Sequence, residues 1–272
     1  MGIRRPGPRL IPDVIRLETM GGFAVRRDGV PLEGSAFCRQ KVRVVLSALL
    51  CARGAVHREC LLEWLWPSLS RERGTAALHT TVYELRRALD GPARRPASAL
   101  ILVEGETYRL ALGGAASWDA AEFLDLARRA EEDAVTPRER VRRLRAAEAA
   151  YGGPLLPEWA YEEWAQPARA EVEEARRAVL EGLADALLDA GQHSAAVSRY
   201  RLLLAAEPER EAWQRGLMRA YWRAGEPALA VRQYHAFREQ LSRDLGLEPT
   251  AETRALVSAV LRGGRAPLAA TA

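Results

Sequence analysis

Lysine is almost missing from these 272 residues: Lys41 is the single one among 40 Lys and Arg residues. A bias this strong reflects a GC-rich genome, and it also removes one function class. A nucleotide-binding P-loop needs a lysine after a glycine-rich turn. Lys41 follows Gly34-Ser35-Ala36-Phe37-Cys38-Arg39-Gln40, with no second glycine before it. Cysteine is scarce too. Cys38, Cys51 and Cys60 form no CxxC pair and leave an odd thiol in any pairing, which fits buried or half-buried thiols in a reducing cytoplasm. No run approaches the ~18 consecutive apolar residues of a membrane helix. Residues 1–12 lack the apolar core of a secretion signal and read as a loose leader. There is no HExxH, no GxSxG and no Cys/His ligand cluster, and His57, His79, His193 and His235 are scattered. An enzyme reading therefore has no residues to stand on, and neither a metal nor a cofactor is expected.

What is present is an ordinary globular composition, 48% hydrophobic and 28% charged, at a length that favours two domains. The net charge of +4 is unevenly spread. Residues 1–110 carry 18 Lys and Arg against 11 Asp and Glu, net +7; residues 111–272 carry 22 against 25, net −3. A polyanionic partner would meet the front half.

The front half reads as strands, three helices and a hairpin. Ile15 to Leu17 and Phe23 to Val25 are β-rich, and Asp28-Gly29 supplies a hairpin turn before Pro31-Leu32. Helical periodicity begins near Arg39, with Val42, Val45, Leu46, Leu49 and Leu50 on one stripe and Gly54 as its stop. A second helix spans roughly 58–66. A third, from about Arg73 to Leu89, sets Leu78, Val82, Leu85 and Leu89 on one face. Its opposite face presents Arg73, Ala76, Thr80, Tyr83 and Arg87, with Glu84 beside them and His79 and Arg86 at the flanks. Guanidinium, hydroxyl and aromatic groups on a helix of this kind can reach base edges and phosphates in a major groove. Many helices offer such a face only to water; here the element order adds weight. Leu100 to Val103 and Tyr108 to Leu112, joined by Glu104-Gly105-Glu106-Thr107, form a closing hairpin, which completes the plan of a winged helix. The acidic tip sits awkwardly with a minor-groove contact, so Arg109 at the hairpin base, or Arg94 and Arg95 before it, are the alternatives. Arg39, Lys41 and Arg43 near a helix N-terminus, with Arg86, are candidates to hold phosphates.

The back half, after Gly113-Gly114-Ala115-Ala116, reads as helices at about 119–133, 137–151, 160–190, 193–206, 209–224, 227–243 and 250–261. A 34-residue offset pairs Ala190 with Ala224, Gly191 with Gly225, Ala196 with Ala230, Val197 with Val231 and Tyr200 with Tyr234, which is the tetratricopeptide period. The expected architecture is mainly α with a small β portion. A winged helix-turn-helix occupies residues 13–112, an all-α tetratricopeptide-like domain residues 117–262, and a disordered tail residues 263–272. Activator, repressor, architectural DNA binder and helical-repeat interaction scaffold all remain compatible with these residues.

The chain resembles the Streptomyces antibiotic regulatory protein family. In the head the resemblance rests on Met20-Gly21-Gly22-Phe23, Arg39-Gln40-Lys41-Val42-Arg43, Leu62-Glu63-Trp64-Leu65-Trp66-Pro67, Ala77-Leu78-His79, Leu85-Arg86-Arg87-Ala88-Leu89 and Glu106-Thr107-Tyr108-Arg109-Leu110. In the body it rests on Tyr151-Gly152-Gly153-Pro154-Leu155-Leu156, Glu163-Trp164-Ala165, Arg169, Pro208, Leu217-Met218 and Leu245-Gly246-Leu247-Glu248-Pro249. The resemblance implies a response-regulator-type winged helix followed by a bacterial transcriptional activation domain. It also implies binding to direct repeats in promoter DNA, with two protomers on the DNA, and recruitment of RNA polymerase holoenzyme, often for secondary-metabolite genes.

Overall fold

The computed structural model describes residues 14–32, 36–90, 100–112, 116–132 and 136–263. The leader before Val14, the turn at Gly91-Pro92, the basic loop with Arg94 and Arg95, the linker residues Gly113 to Ala115 and the tail after Gly263 lie outside them. The chain divides into two compact units. One is Met1–Phe123 with Tyr151–Glu173, and the other is Leu124–Ala150 with Glu174–Ala272.

The first unit opens with β1 (Ile15–Glu18), β2 (Ala24–Arg27) and β3 (Val30–Pro31). The β2–β3 connection is the expected Asp-Gly turn, with Asp28 and Gly29 both at positive φ, as the twist of a two-residue hairpin demands. Leu17 lies opposite Val25 and Ile15 opposite Arg27, so Ile15, Leu17 and Val25 line the buried face. A fourth strand, β7 (Ala116–Trp118), pairs in parallel with β1 and gives the order β3-β2-β1-β7. Between them come α1 (Gln40–Ala52), β4 (Val56–His57), α2 (Arg58–Leu65), α3 (Arg71–Asp90), β5 (Ile101–Glu104) and β6 (Thr107–Leu110). β4, β6 and β5 make a second small sheet. Helix α1 does not stop on Gly54. Its left-handed cap is Arg53, at φ 49°. That conformation costs a non-glycine residue about 1–2 kcal/mol. The Arg53 guanidinium offsets the cost by pairing with Glu171 at 2.8 Å and lying 5.4 Å from the Trp118 ring. Of the thiols, Cys38 is exposed in the turn before α1, whereas Cys51 and Cys60 are half-buried.

Trp118 and Asp119 tie this unit together. The Asp119 carboxylate accepts from the Thr19 amide (2.9 Å), the Thr19 hydroxyl (3.0 Å), the Met20 amide (2.9 Å) and the Ala120 amide (2.8 Å). Trp118 Nε1 donates to Thr19 Oγ1 at 2.7 Å. One step along, the chain of residues 151–156 pairs with the end of β1. The Leu156 amide donates to the Thr19 carbonyl (2.7 Å) and the Gly21 amide to the Pro154 carbonyl (2.8 Å). Gly21, at φ +77°, has no room for a side chain: a Cβ there would lie 2.5 Å from the Gly152 carbonyl oxygen. The Met20-Gly21-Gly22 and Gly152-Gly153-Pro154 stretches, far apart in sequence, are thus one backbone contact. Arg169 holds the segment that follows, donating to the carbonyls of Leu155, Leu156, Trp159 and Ala160 at 2.5–2.9 Å.

In the second unit the helices are α5 (Pro137–Ala150), α7 (His193–Ala206), α8 (Glu211–Arg223), α9 (Pro227–Leu245), α10 (Ala251–Leu261) and the later parts of α4 (Asp119–Glu131) and α6 (Gln166–Asp189). The 34-residue period extends to the hydrogen bonds. Ala190 to Ala186, Gly191 to Leu188 and Gln192 to Leu187 recur as Ala224 to Ala220, Gly225 to Trp222 and Glu226 to Tyr221. Gly191 and Gly225 both take positive φ, and Ala196 and Ala230 are both fully buried. Tyr200 and Tyr234 are buried at matching places. The period also aligns Gly182 with Gly216, each a site where a neighbouring helix places a side chain, Leu144 against the first and Tyr200 against the second.

Two substitutions test these contacts by urea denaturation. Asp119→Ala strips the acceptor from four donors at about 1–3 kcal/mol per stranded group, so a loss of at least about 3 kcal/mol is expected. Gly216→Ala drives a methyl into the Tyr200 ring, and the expected loss is about 1–3 kcal/mol from overpacking.

Candidate nucleic-acid interface

Helix α3 is set by its apolar stripe. Leu78, Val82, Leu85 and Leu89 are all buried, in the same core as Val45, Leu46 and Leu49 of α1 and Leu61, Leu62 and Leu65 of α2. Each fully buried leucine contributes about 1.5–3 kcal/mol. Gly74, in the second turn of α3, leaves space that the Leu62 side chain of α2 enters. The helix starts two residues before the expected Arg73, so that residue falls within its first turn.

With that stripe inside, the opposite face turns out. Arg73, Ala76, His79, Thr80, Tyr83 and Arg87 are exposed, and the Tyr83 ring is 64% accessible. The Thr80 hydroxyl donates to the Ala76 carbonyl at 2.9 Å, which leaves its lone pairs for a donor from outside. Neither Arg73 nor Arg87 has an ion-pair partner among the described residues. Of the carboxylates beside this face, Glu84 is half-buried and already paired with Arg39, whereas Glu72 in the first turn is exposed. A positive, hydrogen-bonding, partly aromatic surface remains, and its neighbour Glu84 is neutralised in advance.

The hairpin adds one more free cation. β5 and β6 are joined by Gly105-Glu106, with Gly105 at φ 60°, and Glu104 faces Thr107 across the turn. Tyr108 points into the core and Arg109 out to solvent, as strand alternation requires. Arg109 has no ion-pair partner among the described residues. Glu106 is the acidic tip residue, and its charge is engaged. Arg58 Nη2 lies 2.6 Å from one carboxylate oxygen and His57 Nε2 3.3 Å from the other. The tip therefore presents less net negative charge than its sequence suggests.

Four other candidate residues are committed elsewhere. Arg39 pairs with Glu84. Lys41 donates to the Leu65 carbonyl at the end of α2 and lies 5.5 Å from the Trp66 ring, a cation at a helix C-terminus. The Arg43 guanidinium is 5.0 Å from both the Phe23 and Trp159 rings and 3.1 Å from Glu158. Arg86 donates to the Ile101 carbonyl at 2.7 Å, tying α3 to β5. A phosphate role for these four competes with internal bonds. Composition gave no hint of this, because an arginine that holds backbone carbonyls reads the same as one that faces water. Burial does leave a signature in Cys51, whose thiol is pushed up to about 12. The nearby Arg169 is drawn below its usual range, chiefly by loss of water around it. Among the described residues no group of three His, Cys, Asp or Glu side chains could hold a metal ion, and no helix is long and apolar enough to cross a membrane.

Residues 118–261, more than half of the chain, match the family described as bacterial transcriptional activator domain. The chain is 27% identical over 229 residues to transcriptional regulatory protein MoaR1 of Mycobacterium tuberculosis, covering 82% of this chain and 72% of that protein. It is 30% identical over 258 residues to regulatory protein AfsR of Streptomyces coelicolor, covering 91% of this chain but only 24% of the relative. Among solved structures it is similar to Mycobacterium tuberculosis EmbR in complex with a low affinity phosphopeptide, with a TM-score of 0.75 at 25% identity, over 94% of this chain and 67% of that one. The family match begins at Trp118, beside the linker read from the sequence. The compact units divide elsewhere, because β7, the start of α4 and residues 151–173 belong with the head.

Neighbouring arginines on α3 should behave differently. Arg86→Ala is expected to cost about 1–2 kcal/mol of stability, through the lost bond to Ile101. Arg87→Ala should stay within about 0.5 kcal/mol. Urea melts of the two variants, side by side, read the difference.

Proposed function

This chain belongs to the Streptomyces antibiotic regulatory protein family of transcriptional regulators, which carry a bacterial transcriptional activator domain, and from that premise we propose that it is a sequence-specific activator acting on promoter DNA. In this reading α3 lies in the major groove. Arg73, Thr80, Tyr83 and Arg87 face base edges and the nearest phosphates, with His79 at the margin. Arg109 reaches the backbone from the hairpin. The observation that carries the reading is the exposed face of α3, whose Arg73 and Arg87 have no ion-pair partner among the described residues and whose neighbour Glu84 is already neutralised by Arg39. The short hairpin with its acidic tip favours a backbone contact through Arg109 over insertion into the minor groove.

The sites would be direct repeats, occupied by two protomers in the same orientation. The helical domain would recruit RNA polymerase holoenzyme in the cytoplasm. Both statements extend the family's pattern to this chain.

Three measurements test the proposal. Arg87→Ala should weaken promoter binding by about 1–3 kcal/mol in an equilibrium titration at fixed salt, and unchanged affinity removes Arg87 from the interface. The logarithm of affinity should fall linearly with the logarithm of salt concentration, by about 0.9 per neutralised phosphate, and a flat plot rejects DNA binding altogether. Transcription with purified polymerase should rise at a bound promoter. A fall instead assigns the protein to repression.

A further inference from the structure

The second unit contains a helix that its acidic surroundings do not explain. α5 holds five arginines, at 138, 140, 142, 143 and 145, in a half of the chain whose net charge is −3. Its buried face is Val141, Leu144 and Ala147. Arg138, Arg142 and Arg145, spaced i, i+4 and i+7, lie on the outward side and are exposed. They rim a groove of about 600 Å³ between the first turns of α5 and the turn joining α6 to α7. Pro137, Val141 and Ala190 give that groove an apolar floor, and among the described residues no carboxylate lines it.

The three charges are not equally free. Arg142 is held in two bonds of 2.7 Å by Glu139, whose carboxyl is pulled down to about 2 by Arg142 and Arg143. Arg145 spends one donor on a neutral partner, Gln192 Oε1, at 2.7 Å. Arg138 has no side-chain partner among the described residues. The groove thus offers two guanidinium groups with most of their donors open, above an apolar surface.

We propose that this groove binds an acidic peptide segment of a partner protein, with carboxylates on Arg138 and Arg145 and an apolar side chain on the floor. Its volume lies within the roughly 300–1,000 Å³ of small-molecule clefts, room for one or two side chains of a bound segment. Along the helix axis Arg138 and Arg145 are separated by about 10 Å, at about 1.5 Å per residue. An extended segment covers that span in about three residues at about 3.3 Å each. Duplex DNA would satisfy the arginines, but the phosphate backbone that they would meet carries no apolar side chain to fill the floor at Val141 and Ala190. A bare phosphate leaves the same floor uncovered. The inference stands on the second unit alone and does not depend on the DNA contacts proposed for α3.

The test uses the full-length protein and a fluorescein-labelled ten-residue peptide in which glutamate recurs at every third position, with leucine and phenylalanine between, so that successive carboxylates match the spacing of Arg138 and Arg145. A second peptide carries glutamine in place of each glutamate. Fluorescence anisotropy should show saturable binding of the first that weakens with salt, and at least tenfold weaker binding of the second. The double variant Arg138→Glu/Arg145→Glu should lose about tenfold in affinity for the acidic peptide. Arg138→Gln/Arg145→Gln, which keeps good helix formers at both sites, should lose severalfold, and Arg243→Glu on α9 should lose nothing. Thermal melts by circular dichroism check that each variant is folded. Equal binding of the two peptides, no binding of either, or full affinity in both double variants overturns the proposal. Displacement of the peptide by promoter duplex, or loss of promoter affinity in the double variants, also overturns it and assigns these arginines to nucleic acid. Unchanged promoter affinity alongside lost peptide binding is the expected pair of results.

Discussion

A carboxylate with 8% of its surface in contact with solvent sits where the first strand ends, and the head is organised around it. Asp119 takes three backbone amides and one hydroxyl, and three of those four donors belong to Thr19 and Met20, a hundred residues earlier. Burying these oxygens is tolerable because all four donors point at them; without those partners the burial would cost free energy. The consequences spread outward. Thr19 is fully buried, and its hydroxyl also accepts from Trp118, so β7 is held parallel to β1. Gly21 then meets Gly152 backbone to backbone, which seats residues 151–156 beside the same strand. The winged helix is therefore not a self-contained stretch of chain. It is completed by residues on both sides of α5.

Arginine carries much of this construction. The guanidinium is planar, always charged and bears five donors, so one side chain can satisfy several carbonyls at once. Arg169 does so for four carbonyls of the 155–160 segment. Arg27 reaches the Leu89 carbonyl at the end of α3, and Arg86 the Ile101 carbonyl on β5. Arg39 and Arg58 neutralise Glu84 and Glu106. The formal +7 of the front half therefore overstates the charge that a polyanion would meet. Among the described residues, cations without an ion-pair partner include Arg73 and Arg87 on α3 and Arg109 on β6.

Several features were legible in advance, each for a reason of period or turn chemistry. The outward residues of α3 follow from helical geometry once Leu78, Val82, Leu85 and Leu89 are assigned to the core. The Asp28-Gly29 turn follows from the positive φ that a tight hairpin imposes. The 34-residue offset survives down to individual hydrogen bonds, because each repeat meets its neighbour in the same geometry. Other features were out of reach. A cap at Gly54 was the local expectation, yet Arg53 takes the left-handed position, because Glu171 and Trp118 reward its side chain there.

The sequence by itself determined most of the helices, their order, the buried faces of α1 and α3 and the repeat, since these depend on residues within one or two turns of each other; the short strands β4 and β7, and the late start of α6 at Gln166, came only with the tertiary structure. Tertiary structure alone decided which arginines are spent on carbonyls and carboxylates and which are left for a partner. It also decided that Asp119, unremarkable in a list of acidic residues, is the acceptor on which the head is built. Both outcomes rest on contacts between positions tens to a hundred residues apart, and no local pattern encodes such a pairing.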